Sequence, residues 1–159
     1  MTLERALQGN DFGCGLDESQ LAKLTSLGQE VRFEENDLIL IAGERSKAFF
    51  VLLTGSAWVE VAADFCSVRI QAVSPGEVFG WSSLLDCHDT LFQVRARERS
   101  SALCFDGPAV SALCREHPEL GVKLLQRVLQ TVAGRIHGLE SSLALFCGLS
   151  ADGKCAAQA

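Results

Sequence analysis

Between Val31 and Phe105 the chain is cut into short runs of strand-forming residues at roughly ten-residue spacing, and this rhythm limits the fold more than any other feature. The runs are Val31 with Phe33, Leu38-Ile39-Leu40-Ile41, Phe49-Phe50-Val51-Leu52-Leu53, Ala57–Ala62, Val68–Val73, Leu91–Ala96 and Ser101–Phe105. Turn chemistry bounds the early runs: Glu35-Asn36-Asp37, Ala42-Gly43-Glu44-Arg45-Ser46 and Thr54-Gly55-Ser56. Many short strands without helical crossovers predict a mainly β fold, a double-sheet jelly roll or β-roll, and argue against a parallel α/β sheet.

Helices flank the roll. Residues 1–28 read as a helical lead-in, with Asp17 and Glu18 ahead of a stripe at Leu21, Leu24 and Leu27, closed by Gly28. Residues 29–106 are the expected β-roll and 107–147 the C-terminal helices, with 148–159 as a tail. After Asp106-Gly107-Pro108 the hydrophobic period becomes helical: Val110, Leu113 and Cys114 form a short apolar face before His117-Pro118. A long helix then runs from about Glu119 to Phe146, with a stripe of Leu125, Val128, Val132, Ile136, Leu139, Leu143 and Phe146. At 1.5 Å per residue such a helix spans roughly 42 Å, more than a small roll needs for cover. Near-heptad spacing on a protruding helix predicts a homodimer seam at Leu125, Val128, Val132, Ile136, Leu139 and Leu143.

Composition narrows the function classes. At 159 residues, with 48% hydrophobic and 21% charged, the chain fits one globular domain. Lys and Arg number 14 against 20 Asp and Glu, a net charge of −6, so direct nucleic-acid binding is not expected. No apolar run approaches the ~18 residues of a membrane helix, and no export-signal core follows Met1. The seven cysteines (Cys14, Cys66, Cys87, Cys104, Cys114, Cys147 and Cys155) are odd in number and form no CxxC pair, which fits a cytoplasmic protein using them as small hydrophobes.

The segment from Asp37 through Gly43, Phe49-Phe50 and Gly55 to Val61, followed by Pro75-Gly76-Glu77-Val78-Phe79-Gly80 and Val94-Arg95-Ala96, resembles the cyclic-nucleotide-binding domain family. The final helix is similar to the dimer helix in sensor domains of catabolite-activator and fumarate-nitrate-regulator type proteins. The second segment looks like that family's phosphate-binding cassette. Independently of the family, Gly76 and Gly80 permit sharp turns, and a helical turn at Trp81-Ser82-Ser83-Leu84-Leu85 would present N–H groups and hydroxyls to an anion. The resemblance implies a ligand pocket at Gly80, Trp81, Ser82, Ser83, Thr90 and Phe92.

The same resemblance requires an acid directly after Phe-Gly to hold the ribose, an arginine before the next strand to pair with the phosphate, and a small residue two positions on. Those positions carry Trp81, Thr90 and Phe92, and the stretch Asp86–Gln93 holds no Arg or Lys. Two lost charge-assisted hydrogen bonds cost roughly 3–6 kcal/mol, on the order of 100- to 10,000-fold in affinity. Asp86 and Asp89 would repel a phosphate further. The chain is therefore expected to be a stand-alone regulatory sensor or interaction module that does not take cyclic AMP in the usual way. Its ligand is an unidentified small molecule, a protein partner remains open, and ligand binding would act through the long helix. The resemblance implies a DNA-reading segment beyond the dimer helix in full-length regulators, and none is expected within residues 147–159.

Other chemistries compete with this reading. A genuine cyclic-nucleotide receptor with substituted phosphate contacts is the first alternative. Haem held by Cys87 or His88 is the second, and no resident cofactor or metal is expected otherwise. Cys114 and His117 stand three apart on a possible helix face, but nucleophilic catalysis needs a third orienting group. No Gly-x-Ser-x-Gly, phosphate loop or His-Glu-x-x-His is present, so no enzymatic activity is expected. Arg95, Arg97 and Arg99 alternate with Gln93 and Glu98 and are expected on one solvated strand face.

Overall fold

A computed structural model describes residues 3–9, 12–62, 66–85 and 92–147. A short helix α1 (Leu3–Gln8) precedes α2 (Glu18–Thr25). The start of α2 is a reciprocal capping box: Gln20 N donates to Asp17 Oδ1 at 2.9 Å, and Asp17 N donates to Gln20 Oε1 at 3.2 Å. Leu21 and Leu24 are buried, whereas Leu27 lies beyond the helix and is exposed. Gly28 does not close the helix as expected; it opens the first strand. The Phe105 ring packs there, 2.5 Å from where a Cβ would stand, so no side chain fits.

Eight strands follow: β1 (Gly28–Phe33), β2 (Leu38–Leu40), β3 (Ala48–Thr54), β4 (Ala57–Ala62), β5 (Ser67–Val73), β6 (Val78–Phe79), β7 (Phe92–Ala96) and β8 (Ser100–Asp106). They form two four-stranded sheets in the orders β1-β8-β3-β6 and β2-β7-β4-β5, with every pairing antiparallel. The chain thus has the mainly β architecture of a roll with helices at both ends.

The first sheet is the middle layer, and β3 shows why its sequence is an unbroken apolar run. Phe50 and Leu52 face the second sheet, packing with Leu40, Val59, Val73, Phe79 and Val94. Phe49 and Val51 face the helices, packing with Leu21, Leu24, Phe105, Val110, Leu120 and Leu124. Each of these large side chains contributes about 1.5–3 kcal/mol by leaving water. Phe50 and Phe79 stack at 4.9 Å with ring planes 7° apart, which fixes the two-residue strand β6 on β3.

The outer face of the second sheet carries charge. Glu60 is buried among its partners: it accepts from Gln93 Nε2 at 2.9 Å and Arg95 Nε at 3.2 Å. Arg69 and Arg97 flank the Trp58 ring at 5.2 and 5.1 Å. The expected solvated arginine face is therefore different in detail. Arg95 is tied to Glu60 and to the Asn36 carbonyl, while Arg97 and Arg99 lie past the end of β7, with Arg99 on Glu34 at 3.0 Å.

Asp106 caps α3 (Gly107–Glu116) by accepting from Ala109 N at 3.0 Å, with Pro108 in the first turn. His117 separates it from α4 (Pro118–Phe146), 29 residues long. The expected stripe on α4 is divided. Val128 belongs to the chain's own core and Val132 packs partly against it, whereas Leu125, Ile136, Leu139 and Leu143 are exposed. Leu129, not anticipated, is 66% exposed. Among the described residues no helix is long and apolar enough to cross a membrane.

Candidate functional site

The segment from Ser74 to Leu85 is held by its backbone. Gly76 N donates to the Leu52 carbonyl at 2.8 Å and Leu52 N to the Glu77 carbonyl at 3.0 Å, which ties the turn to β3. The Glu77 carboxylate accepts from Ser74 N at 2.6 Å. After β6, Gly80 adopts φ +73, the left-handed region open to glycine at little cost. A Cβ there would stand 2.5 Å from the Ala48 carbonyl oxygen and 3.4 Å from Phe50. Gly80 is therefore required twice, for its dihedral and for its lack of a side chain.

Residues Trp81–Leu84 form one 3-10 turn, closed by Ser83 N on the Gly80 carbonyl at 3.0 Å and by Leu85 N on the Ser82 carbonyl at 3.1 Å. Trp81 and Leu84 pack against the helix-side core. The indole is thus turned to the α3–α4 layer rather than into the roll between the sheets. Ser83 Oγ is buried without a hydrogen-bond partner, against the bare Cα of Gly107. Ser111 Oγ of α3 donates to the Leu84 carbonyl at 3.4 Å and joins helix to turn.

The residues expected to share one pocket are described only in part. Ser82 and Ser83 line a cavity of about 180 Å³. Gly80, Trp81 and Phe92 are not among its walls. Phe92 opens β7 opposite Val61 and is exposed on that strand. Thr90, Cys87 and His88 lie outside the described residues. Among the described residues no group of three or more His, Cys, Asp or Glu is arranged to hold a metal. Cys114 packs against the helix-side core, and burial pushes its thiol above the ordinary value of 9.0, which opposes a nucleophilic role at neutral pH.

One functional group escaped sequence reasoning. Arg135, 57 residues along the chain, donates Nη2 to the Val78 carbonyl. Its Nε is buried without a partner, and burial lowers its pKa against an opposing pull from Glu77. A cation thus reaches the cassette from α4. The only sequence signal was an Arg on the face of α4 one residue before Ile136, which a solvated face explains equally well.

The model of the cyclic nucleotide-binding domain family matches residues 30–117, just over half of the chain. No curated protein matches it in sequence. Among solved structures, a protein of Geobacter metallireducens described as cyclic nucleotide-binding shares 22% identity over 86% of this chain and 100% of its own, with a TM-score of 0.75. A cyclic nucleotide-binding domain of Methylobacillus flagellatus is 19% identical, covering 93% of this chain and 83% of its own, with a TM-score of 0.77. The sensor domain of the transcriptional regulator DNR of Pseudomonas aeruginosa is 18% identical over 84% and 90%, with a TM-score of 0.67. At these identities the structures speak for the fold, and the family model for membership: this chain belongs to the cyclic nucleotide-binding domain family.

Proposed function

We propose that this chain is a regulatory sensor or interaction module that does not bind cyclic nucleotides in the family's usual manner, and that it acts as a homodimer through α4. The carrying observation is the cassette itself. The residue after Gly80 is Trp81, whose indole packs against the helix-side core, and Arg135, the cation hydrogen-bonded to the cassette, is held by the Val78 carbonyl. Neither an acid for a ribose nor a free cation for a phosphate lies between Gly80 and Leu85. The sensor domain from Pseudomonas aeruginosa, a regulator's module, supports a regulatory role over a catalytic one. Ligand or partner binding would be transmitted where α4 meets the cassette at Arg135. Isothermal titration with cyclic AMP and cyclic GMP tests this reading: no heat of binding is expected, and micromolar affinity for either would overturn it.

A second reading, a true receptor with substituted contacts, draws on the same arginine. A ligand phosphate could take the Arg135 guanidinium from the Val78 carbonyl, because a charged acceptor bonds it more strongly than a neutral one. If titration does show binding, Arg135→Ala abolishes it in this second case.

A further inference from the structure

We propose that the cavity between the β2–β3 loop, the 3-10 turn and α3 is a binding site for a small oxyanion of the phosphate class. It has a volume of about 180 Å³, and Arg45, Lys47 and Arg115 line it together with the serines at 46, 82, 83 and 111. Three cations converge there on four hydroxyls, in a chain whose net charge is −6. None of its described walls is acidic. Asp106, two residues before Pro108, is turned to Ala109 N as the cap of α3, and Glu44 and Glu116, beside Arg45 and Arg115 in the chain, make no ion pair among the described residues. The guanidinium groups of Arg45 and Arg115 and the ammonium of Lys47 make no ion pair or side-chain hydrogen bond among the described residues. Unpaired like charges gathered at one cavity repel one another, and an anion between them removes that cost.

A second observation concerns one of the cavity's walls. Ser83 Oγ is buried and has no partner, an arrangement that costs free energy in the empty protein. The absence of a side chain at Gly107, where a Cβ would stand 2.6 Å from that oxygen, leaves its surroundings without a competing group. Ser46 Oγ accepts from Ala48 N at 3.1 Å and Ser111 Oγ donates to the Leu84 carbonyl, so both hydroxyls are positioned by backbone. Water's share of liquid volume is about 30 Å³ per molecule, so the cavity has room for a tetrahedral oxyanion with bridging water but not for a whole nucleotide. Arg recognises such oxyanions by paired N–H donors and Lys by point charge. The proposal is independent of whether a cyclic nucleotide binds, because Gly80 and Trp81 are not part of this cavity.

The test is titration of the intact chain with inorganic phosphate and, separately, glycerol phosphate at ionic strength fixed with chloride, followed by amide magnetic-resonance shifts. Saturable shifts confined to residues 45–47, 82–85 and 108–115 are expected. Tighter response to the ester assigns the phosphoryl group to an organic ligand; tighter response to inorganic phosphate assigns a free oxyanion. Arg115→Ala should weaken binding about tenfold, and Arg45→Ala with Lys47→Ala should remove saturation, with far-ultraviolet dichroism unchanged. Ser83→Ala should weaken phosphate binding while raising the unfolding midpoint measured without phosphate, since it deletes the orphan hydroxyl. Shifts that do not saturate, or that survive Arg115→Ala undiminished, overturn the proposal.

Discussion

Arg135 on α4 donates to the carbonyl oxygen of Val78, two residues before the left-handed Gly80, so the long helix and the cassette share one hydrogen bond. The bond compensates a guanidinium that burial penalises, and its Nε stays unpartnered. Such an arrangement is costly to leave half-made.

Replacing Arg135 should therefore loosen the cassette before it unfolds the protein. Arg135→Ala strands the Val78 carbonyl and is expected to destabilise by about 1–3 kcal/mol in urea unfolding. Arg135→Met keeps the aliphatic packing and removes the desolvated charge, so it should cost less than alanine. In both variants amide exchange should rise in residues 78–85 more than in the β1–β8 pair. Uniform loss of protection would mean that the arginine supports the whole fold and not the cassette.

Two glycines separate backbone strain from steric exclusion. Gly43 and Gly80 both have positive φ, +79 and +73, but a Cβ at Gly43 meets nothing within 4 Å. Gly43→Ala should cost about 1 kcal/mol, the left-handed penalty alone. Gly80→Ala adds contact with the Ala48 carbonyl at 2.5 Å, and about 2–4 kcal/mol is expected. Thermal unfolding of the two variants side by side measures the difference, and equal costs would show that the cassette yields at Gly80.

The contrast also shows what could be read from the chain. Strand positions and the Asp17 cap follow from local rules of alternation and turn chemistry, so the roll was legible from residues 29–106, one residue short of where β1 begins. β6 was not, because two residues carry no period; β3 and the Phe50–Phe79 stack make it a strand. Arg135 was invisible for a different reason: its partner is a backbone carbonyl, which has no sequence identity. The side on which Trp81 packs was not legible either: bulky and apolar, it is drawn to the helix-side core, a choice that depends on where α3 and α4 pack.

Alkaline pH should weaken the fold through two thiols. Burial pushes the Cys104 thiol above the ordinary 9.0, with Asp106 adding to the effect, and burial alone does so for Cys114. The unfolded chain then releases these protons first as pH rises. Their stabilisation is complete below the ordinary thiol value and is lost as pH climbs through the raised folded values. Urea unfolding from neutral pH to roughly 10 should show this decline, and a Cys104→Ala/Cys114→Ala double variant should flatten it. Alkylation should reach exposed Cys14, Cys66 and Cys147 before Cys114. Equal slopes in both proteins would remove the thiols as the cause.

The register of α4 makes the dimer proposal specific. Sequence periodicity placed Val128 in the seam, but that side chain is only 9% exposed and packs in the chain's own core, while Leu129 is 66% exposed. Exchanging the two gives Leu125, Leu129, Val132, Ile136, Leu139 and Leu143, spaced alternately by four and three. That is the a/d pattern of a two-stranded coiled coil, and Val132 is its only member that packs partly against the monomer. Each leucine buried at such a seam contributes about 1.5–3 kcal/mol. Leu129→Glu and Ile136→Glu should each shift sedimentation equilibrium from dimer to monomer, while changing the unfolding of the dilute monomer by less than about 0.5 kcal/mol. Val128→Ala should do the reverse, costing about 1–3 kcal/mol of fold stability and leaving association intact. If Val128→Ala dissociates the dimer and Leu129→Glu does not, the seam follows the register read from sequence and α4 must turn on its axis when two copies meet.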